Sequence, residues 1–90
     1  MSKRGEKWQA FADAVGNHIE TYTVPQYGDE GADLATGYTP EECVKQAQKY
    51  LARFGRNSRP GQEHIDTMKA AHYIQMAADL IGQEVADAAH

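Results

Sequence analysis

The residues in this chain best suited to chemistry are basic. On a helix advancing about 100° per residue, Lys45, Lys49, Arg53 and Arg56 fall within roughly 80° of one another, and Arg59 carries the charge into the segment that follows. Guanidinium and ammonium groups converging beside a glycine turn, here Gly55, bind phosphate through bidentate and point-charge contacts. The same pattern also describes the solvated face of an amphipathic helix. The residues by themselves leave both readings open.

The acids and histidines offer less. Asp66, Lys69 and Tyr73 stand at i, i+3 and i+7, so they share one side of a helix, and Asp66 is expected to pair with an arginine of the preceding helix. Glu63 and Asp66 have the spacing with which helical nucleotide hydrolases hold magnesium, but such sites gather several carboxylates from facing helices. Magnesium is therefore expected only if the chain is a hydrolase. His64 and His72 stand about 12 Å apart along a helix, too far to chelate one metal together. His18 and His90 have no partner at ligand spacing, so no metal site is expected. No glycine loop ending in Lys-Ser or Lys-Thr occurs, which excludes a Walker-type kinase. The lone Cys43 forms neither an intrachain disulfide nor a cysteine zinc site, and without a neighbouring base it is not an activated nucleophile.

Three helices are expected to position these groups, giving an all-α fold. Trp8, Phe11, Ala12, Val15 and Ile19 recur at helical spacing and predict a first helix over about 5–20, with a soft spot at Gly16-Asn17. Pro25, Gly28, Gly31 and Gly37 punctuate residues 21–38, which are read as a long irregular loop packed by Tyr22, Val24 and Tyr27, a short strand there remaining open. Thr39-Pro40-Glu41-Glu42 is the clearest local signal. Thr39 suits the N-cap, Pro40 the first helical position and Glu42 the third place of a capping box. The helix over about 40–54 carries Val44, Ala47, Leu51 and Phe54 as its apolar stripe, with Gly55 suited to a left-handed end. The last helix, about 61–82, carries Ile65, Met68, Ala71, Ile74, Ala78 and Ile81, widened by Met76, Ala77 and Leu80. The short connector predicts a C-terminal antiparallel helical hairpin, and residues 1–90 are read as a single helical domain.

Composition narrows the class. The chain has 90 residues, of which 41 % are hydrophobic and 24 % charged, as in a globular domain and unlike a disordered one. No apolar run is long enough for a membrane span. Basic Met1 to Arg4 leads into Gly5-Glu6-Lys7 instead of an apolar segment, so no secretory signal is expected and a cytoplasmic location is. The net charge of −4 is unevenly spread. Residues 10–44 hold seven carboxylates and no Lys or Arg, whereas residues 45–69 hold six basic residues against Glu63 and Asp66. Overall acidity argues against nucleic acid as a partner, while a local basic patch stands.

The segment Lys49-Tyr50-Leu51-Ala52-Arg53-Phe54-Gly55-Arg56, followed by Asp66-Thr67-Met68-Lys69-Ala70-Ala71-His72-Tyr73, resembles the SaV-like family of small phage and prophage proteins. That family includes the C-terminal part of a phage nucleotide kinase, and its pattern reads K-Y-x-x-R-x-G-K, a short linker, then D-x-x-K-A-x-x-Y. The match covers roughly residues 44–81. The resemblance implies a phage-type helical hairpin with nucleotide connections, and Lys49, Tyr50, Arg53, Gly55, Arg56, Asp66, Lys69 and Tyr73 are the positions that match. The family's N-terminal His-Tyr element is replaced by Tyr27-Gly28-Asp29, which is faintly similar to MazG-like nucleotide pyrophosphatases.

Taken together, these features lead to the expectation of a small phage- or prophage-type accessory protein that binds a nucleotide or other phosphate ligand through a basic helix face. Lys49, Tyr50, Arg53, Arg56, Arg59, Asp66, Lys69 and Tyr73 are the candidate site. One alternative is a non-enzymatic module binding a host or phage protein through its helix faces and acidic loop. The other is a divergent MazG-like hydrolase using Glu63 and Asp66 with magnesium. The broad apolar surface of the last helix points to a homodimer.

Overall fold

The computed structural model describes residues 2–28, 37–56 and 59–88. All elements among them are helical, so the fold is all-α: α1 (Lys3–His18), a π-helical turn (Ile19–Thr23), α2 (Val24–Tyr27), α3 (Pro40–Ala52) and α4 (Gln62–Ala88). They fall into two compact units, Met1–Thr36 and Gly37–His90. The helical domain read over 1–90 is thus carried by two units, each built of helices.

In the first unit, Ser2 caps α1, its Oγ accepting the Gly5 N–H at 3.0 Å. This satisfies one of the free donors at the helix start, and the helix begins two residues before the expected Gly5. It runs through Gly16-Asn17 without a break. Residues 21–27, expected in an irregular loop, are helical instead. The physical reason lies in Pro25. Proline has no N–H to donate, and in a regular α-turn its ring collides with the carbonyl four residues back, here Thr21. The chain responds by widening, not by stopping. The Val24 N–H bonds the Ile19 carbonyl five residues behind it, and the Thr21 hydroxyl donates to the Asn17 carbonyl at 2.7 Å. A π turn of this kind absorbs an irregularity inside a helix. Gly28, at φ +85°, ends the run. Residues 29–36 of the expected loop lie outside the described residues, and Tyr38 packs on the core of the second unit. Tyr22 and Tyr27 are exposed, and Tyr22 stacks on His18 with centroids 5.2 Å apart.

The second unit is built on α3 and α4, which pack together. Thr39 caps α3, its Oγ1 accepting the Glu42 N–H at 3.2 Å, with Pro40 in the first turn. Glu41 and Glu42 complement the positive end of the helix dipole. Gly55 adopts φ +76° just beyond the helix end, a backbone conformation that glycine enters without a steric penalty.

The apolar faces differ from those the spacing predicts. Val44, Leu51 and Phe54 of the expected α3 stripe are exposed, and only Ala47 of that stripe is buried. The buried face is instead Pro40, Cys43 and Ala47. On α4 the residues buried are Asp66, Met68, Ala70, Met76 and Ala77, whereas Ile74 and Ile81 are half exposed. Cys43, Met76 and Ala77 form a core cluster on which Tyr38, Tyr73 and Leu80 pack. Small side chains at Cys43, Ala47, Ala70 and Ala77 are buried together with Met68 and Met76, while Ile74 and Ile81 are half exposed. Cys43 meets residues 76–77 while Tyr50 meets Lys69 and Tyr73, so partner numbers fall along α4 as they rise along α3. The last helix is longer than the expected 61–82, running to Ala88.

Candidate ligand site around Tyr50

Tyr50 stands in the last turn of α3, on the side that packs on α4, and is half-buried. Its ring stacks on that of Tyr73 from α4, with centroids 5.8 Å apart and planes within 16°. Three cations gather around the same ring. The Arg53 guanidinium carbon is 5.2 Å from its centroid, Lys69 Nζ 5.3 Å and Lys49 Nζ 5.6 Å. Each lies within the range of a cation–π contact. Lys69 reaches the ring because it stands one turn before Tyr73 on α4, so the same helix face delivers both the stack and the charge. The ring of His72 lies 6.4 Å from that of Tyr73.

This arrangement concentrates positive charge at one ring. Among the described residues, neither Lys49 nor Arg53 pairs with a carboxylate. Part of the placement is structural, since cations in the last turn complement the carbonyl end of a helix. A group of three around one ring still repels itself, and an anion relieves that repulsion.

Asp66 does not pair with an arginine of the preceding helix, as its position had suggested. It is 1 % exposed, its Oδ1 accepts the Gln62 side-chain N–H at 2.8 Å, and its Oδ2 is buried with no hydrogen-bond partner among the described residues. Arg53 is drawn to the face of Tyr50 instead. Asp66 stands one turn before Lys69 on α4. Arg56 and Arg59 are both exposed on the connector. The Arg56 N–H is tied to the Arg53 carbonyl at 2.9 Å, and the Gln62 N–H to that of Arg59 at 3.2 Å. The fold thus brings Lys49, Tyr50, Arg53, Lys69 and Tyr73 together. It leaves Arg56 outside the group around the ring, and Asp66 is buried.

Both acids of the magnesium alternative lie at the start of α4. Glu63 is exposed and Asp66 buried, and among the described residues no group of three or more His, Cys, Asp or Glu is placed to hold a metal. Cys43 is fully buried in the core cluster. No helix among the described residues is long and apolar enough to cross a membrane. Two features had no reading in the sequence, the His18–Tyr22 stack and the π turn beside it. Pro25 inside a helical pattern was the available signal.

Comparison of the chain with protein-family models, with curated proteins and with solved structures found no match.

Proposed function

We propose that this chain is a phage- or prophage-type accessory protein that binds a nucleotide or another phosphate-bearing ligand beside Tyr50. The observation that carries the reading is the convergence of Lys49, Arg53 and Lys69 on one stacked tyrosine, two of the three without an acidic partner among the described residues. Phosphate oxygens take the guanidinium in a bidentate contact and the ammonium groups as point charges. An aromatic plane beside them offers a surface for a base. Arg56 and Arg59 extend the positive field along the connector, and the likeness of these positions to the SaV-like pattern supports the same ligand class. The protein works in the cytoplasm as a homo-oligomer.

A thermal-shift panel of nucleoside mono-, di- and triphosphates tests this reading. A ligand at about 100 times its Kd stabilises by roughly 2.7 kcal/mol, several degrees for a domain of this size. A base-selective shift that survives moderate salt and disappears in Arg53→Gln with Lys49→Gln is the expected result. A flat panel, or shifts equal in both proteins, rejects the site.

A second reading, a non-enzymatic module that engages a host or phage protein, rests on the exposure of Leu51 and Phe54, 55 % and 57 %. It predicts no nucleotide shift and loss of partner binding when Phe54 is changed to Ser.

A further inference from the structure

His72 stands between two residues of the site around Tyr50. It follows Lys69 by three positions on α4 and precedes Tyr73 by one. Residues three apart share a helix face, so His72 lies on the side from which Lys69 reaches the Tyr50 ring. The rings of His72 and Tyr73 are 6.4 Å apart with planes inclined by 31°, and Tyr73 in turn stacks on Tyr50. Lys69, His72 and Tyr73 are all half-buried.

The charges on this side of the α3–α4 pair are sorted by position. A step of one residue turns the direction about 100° around a helix axis. Because α3 and α4 pair in opposite senses, a step back from the contact line points to the same side on both helices. From Ala70, Tyr73 and Leu80 it leads to Lys69, His72 and Asp79, and from Cys43 and Tyr50 it leads to Glu42 and Lys49. Cys43 meets residues 76–77 while Tyr50 meets Lys69 and Tyr73. Lys49, Arg53, Lys69 and the two tyrosines therefore stand at the His72 end of this side, and Glu42 and Asp79 stand towards the other end. Asp79 accepts a hydrogen bond from the Gln75 side chain.

We propose that His72 is a fourth phosphate-binding group of the site around Tyr50, its imidazolium joining Lys49, Arg53 and Lys69 on one anion. The inference rests on the ligand class proposed above and adds a pH dependence to it. Lysine and arginine keep their charge through the neutral range, whereas histidine titrates within it. An imidazolium donates N–H bonds to phosphate oxygens, and such charge-assisted bonds are the strong ones. Proton and ligand then help each other. A bound polyphosphate favours the imidazolium, and the imidazolium favours the polyphosphate by the same factor. The His72 midpoint is accordingly higher in the complex than in the free protein. The added affinity is complete below the free midpoint and is lost as pH rises through the bound one.

Proton NMR titration of the histidine rings of the full chain, over about pH 5 to 8.5 around the ordinary histidine range, tests the proposal with and without saturating inorganic tripolyphosphate. The His72 ring is identified by its Overhauser contact with the Tyr73 ring and by its loss in His72→Gln. Its midpoint is expected to rise by about 0.5–1 pH unit with the probe, which equals about three- to tenfold in affinity. His18 and the exposed His64 are expected to move less. The Kd of His72→Gln divided by that of the wild type cancels titration of the probe itself. This ratio is expected to fall from about three to ten at low pH to about one at high pH. The wild-type titration decides the matter even where His72→Gln does not fold. No thermal shift with tripolyphosphate at any pH rejects the Tyr50 site and this inference with it. A thermal shift that Arg53→Gln with Lys49→Gln abolishes, beside an unmoved His72 midpoint, keeps the site and overturns the role of His72. A His64 midpoint that moves as far as that of His72 also overturns it, since the effect is then a general field and not a contact.

Discussion

Tyr50 and Tyr73 come from different helices and different stretches of sequence, yet their rings lie 5.8 Å apart and within 16° of parallel. The pair joins the end of α3 to the middle of α4 and gives Arg53, Lys49 and Lys69 a common plane. Stacked aromatic pairs contribute about 0.5–1.5 kcal/mol beyond the area they bury.

Removing one ring separates packing from hydroxyl chemistry. Tyr73 also packs on the Cys43–Met76–Ala77 cluster, so Tyr73→Ala is expected to destabilise the second unit by about 2 kcal/mol or more. Tyr50→Phe keeps the ring and is expected to stay within about 0.5 kcal/mol of the wild type in urea denaturation. If Tyr50→Phe costs as much as Tyr73→Ala, the hydroxyl of Tyr50 and not the stack holds the helices together.

Asp66 offers a test of an unusual balance. Asp66→Ala forfeits the bond from Gln62, about 0.5–1.5 kcal/mol net, but removes a buried oxygen with no partner among the described residues, which costs about 1–3 kcal/mol to leave unsatisfied. The two changes oppose each other, so urea denaturation of Asp66→Ala is expected within about 1 kcal/mol of the wild type. A loss of about 3 kcal/mol or more would show that Oδ2 is satisfied in solution.

Two glycines are expected to respond in opposite senses to alanine. Gly16 lies inside α1 in an ordinary helical conformation, and a Cβ placed on it would meet nothing within 4 Å. Gly16→Ala should therefore stabilise the helix by about 0.5–1 kcal/mol. Gly55 holds φ +76°, and Gly55→Ala is expected to cost about 1 kcal/mol or more. Thermal melts followed by circular dichroism read both. Equal responses would mean that Gly55 does not hold its left-handed conformation in solution.

What the sequence by itself determined is local. Thr39 and Pro40 specify the start of α3 because a cap and a fixed φ act within one turn, and Gly55 specifies its end because only a residue without Cβ turns left-handed there freely. The all-α class followed from apolar periodicity. The cationic residues of the site were also legible, since Lys49 and Arg53 share a helix face whatever surrounds them.

Tertiary structure alone decided which apolar line faces inward. Hydrophobicity singled out Ala47, Met68, Met76 and Ala77, which are buried, but also Val44, Leu51, Ile74 and Ile81, which are not, and it passed over Cys43, which is fully buried in the core cluster. The same choice paired Tyr50 with Tyr73, turned Arg53 onto a ring rather than onto Asp66, and left the larger aliphatic residues on the outside. Pro25 shows the complement. Read locally it is a breaker, but between α1 and α2 a single widened turn accommodates it, the Val24 N–H reaching the Ile19 carbonyl.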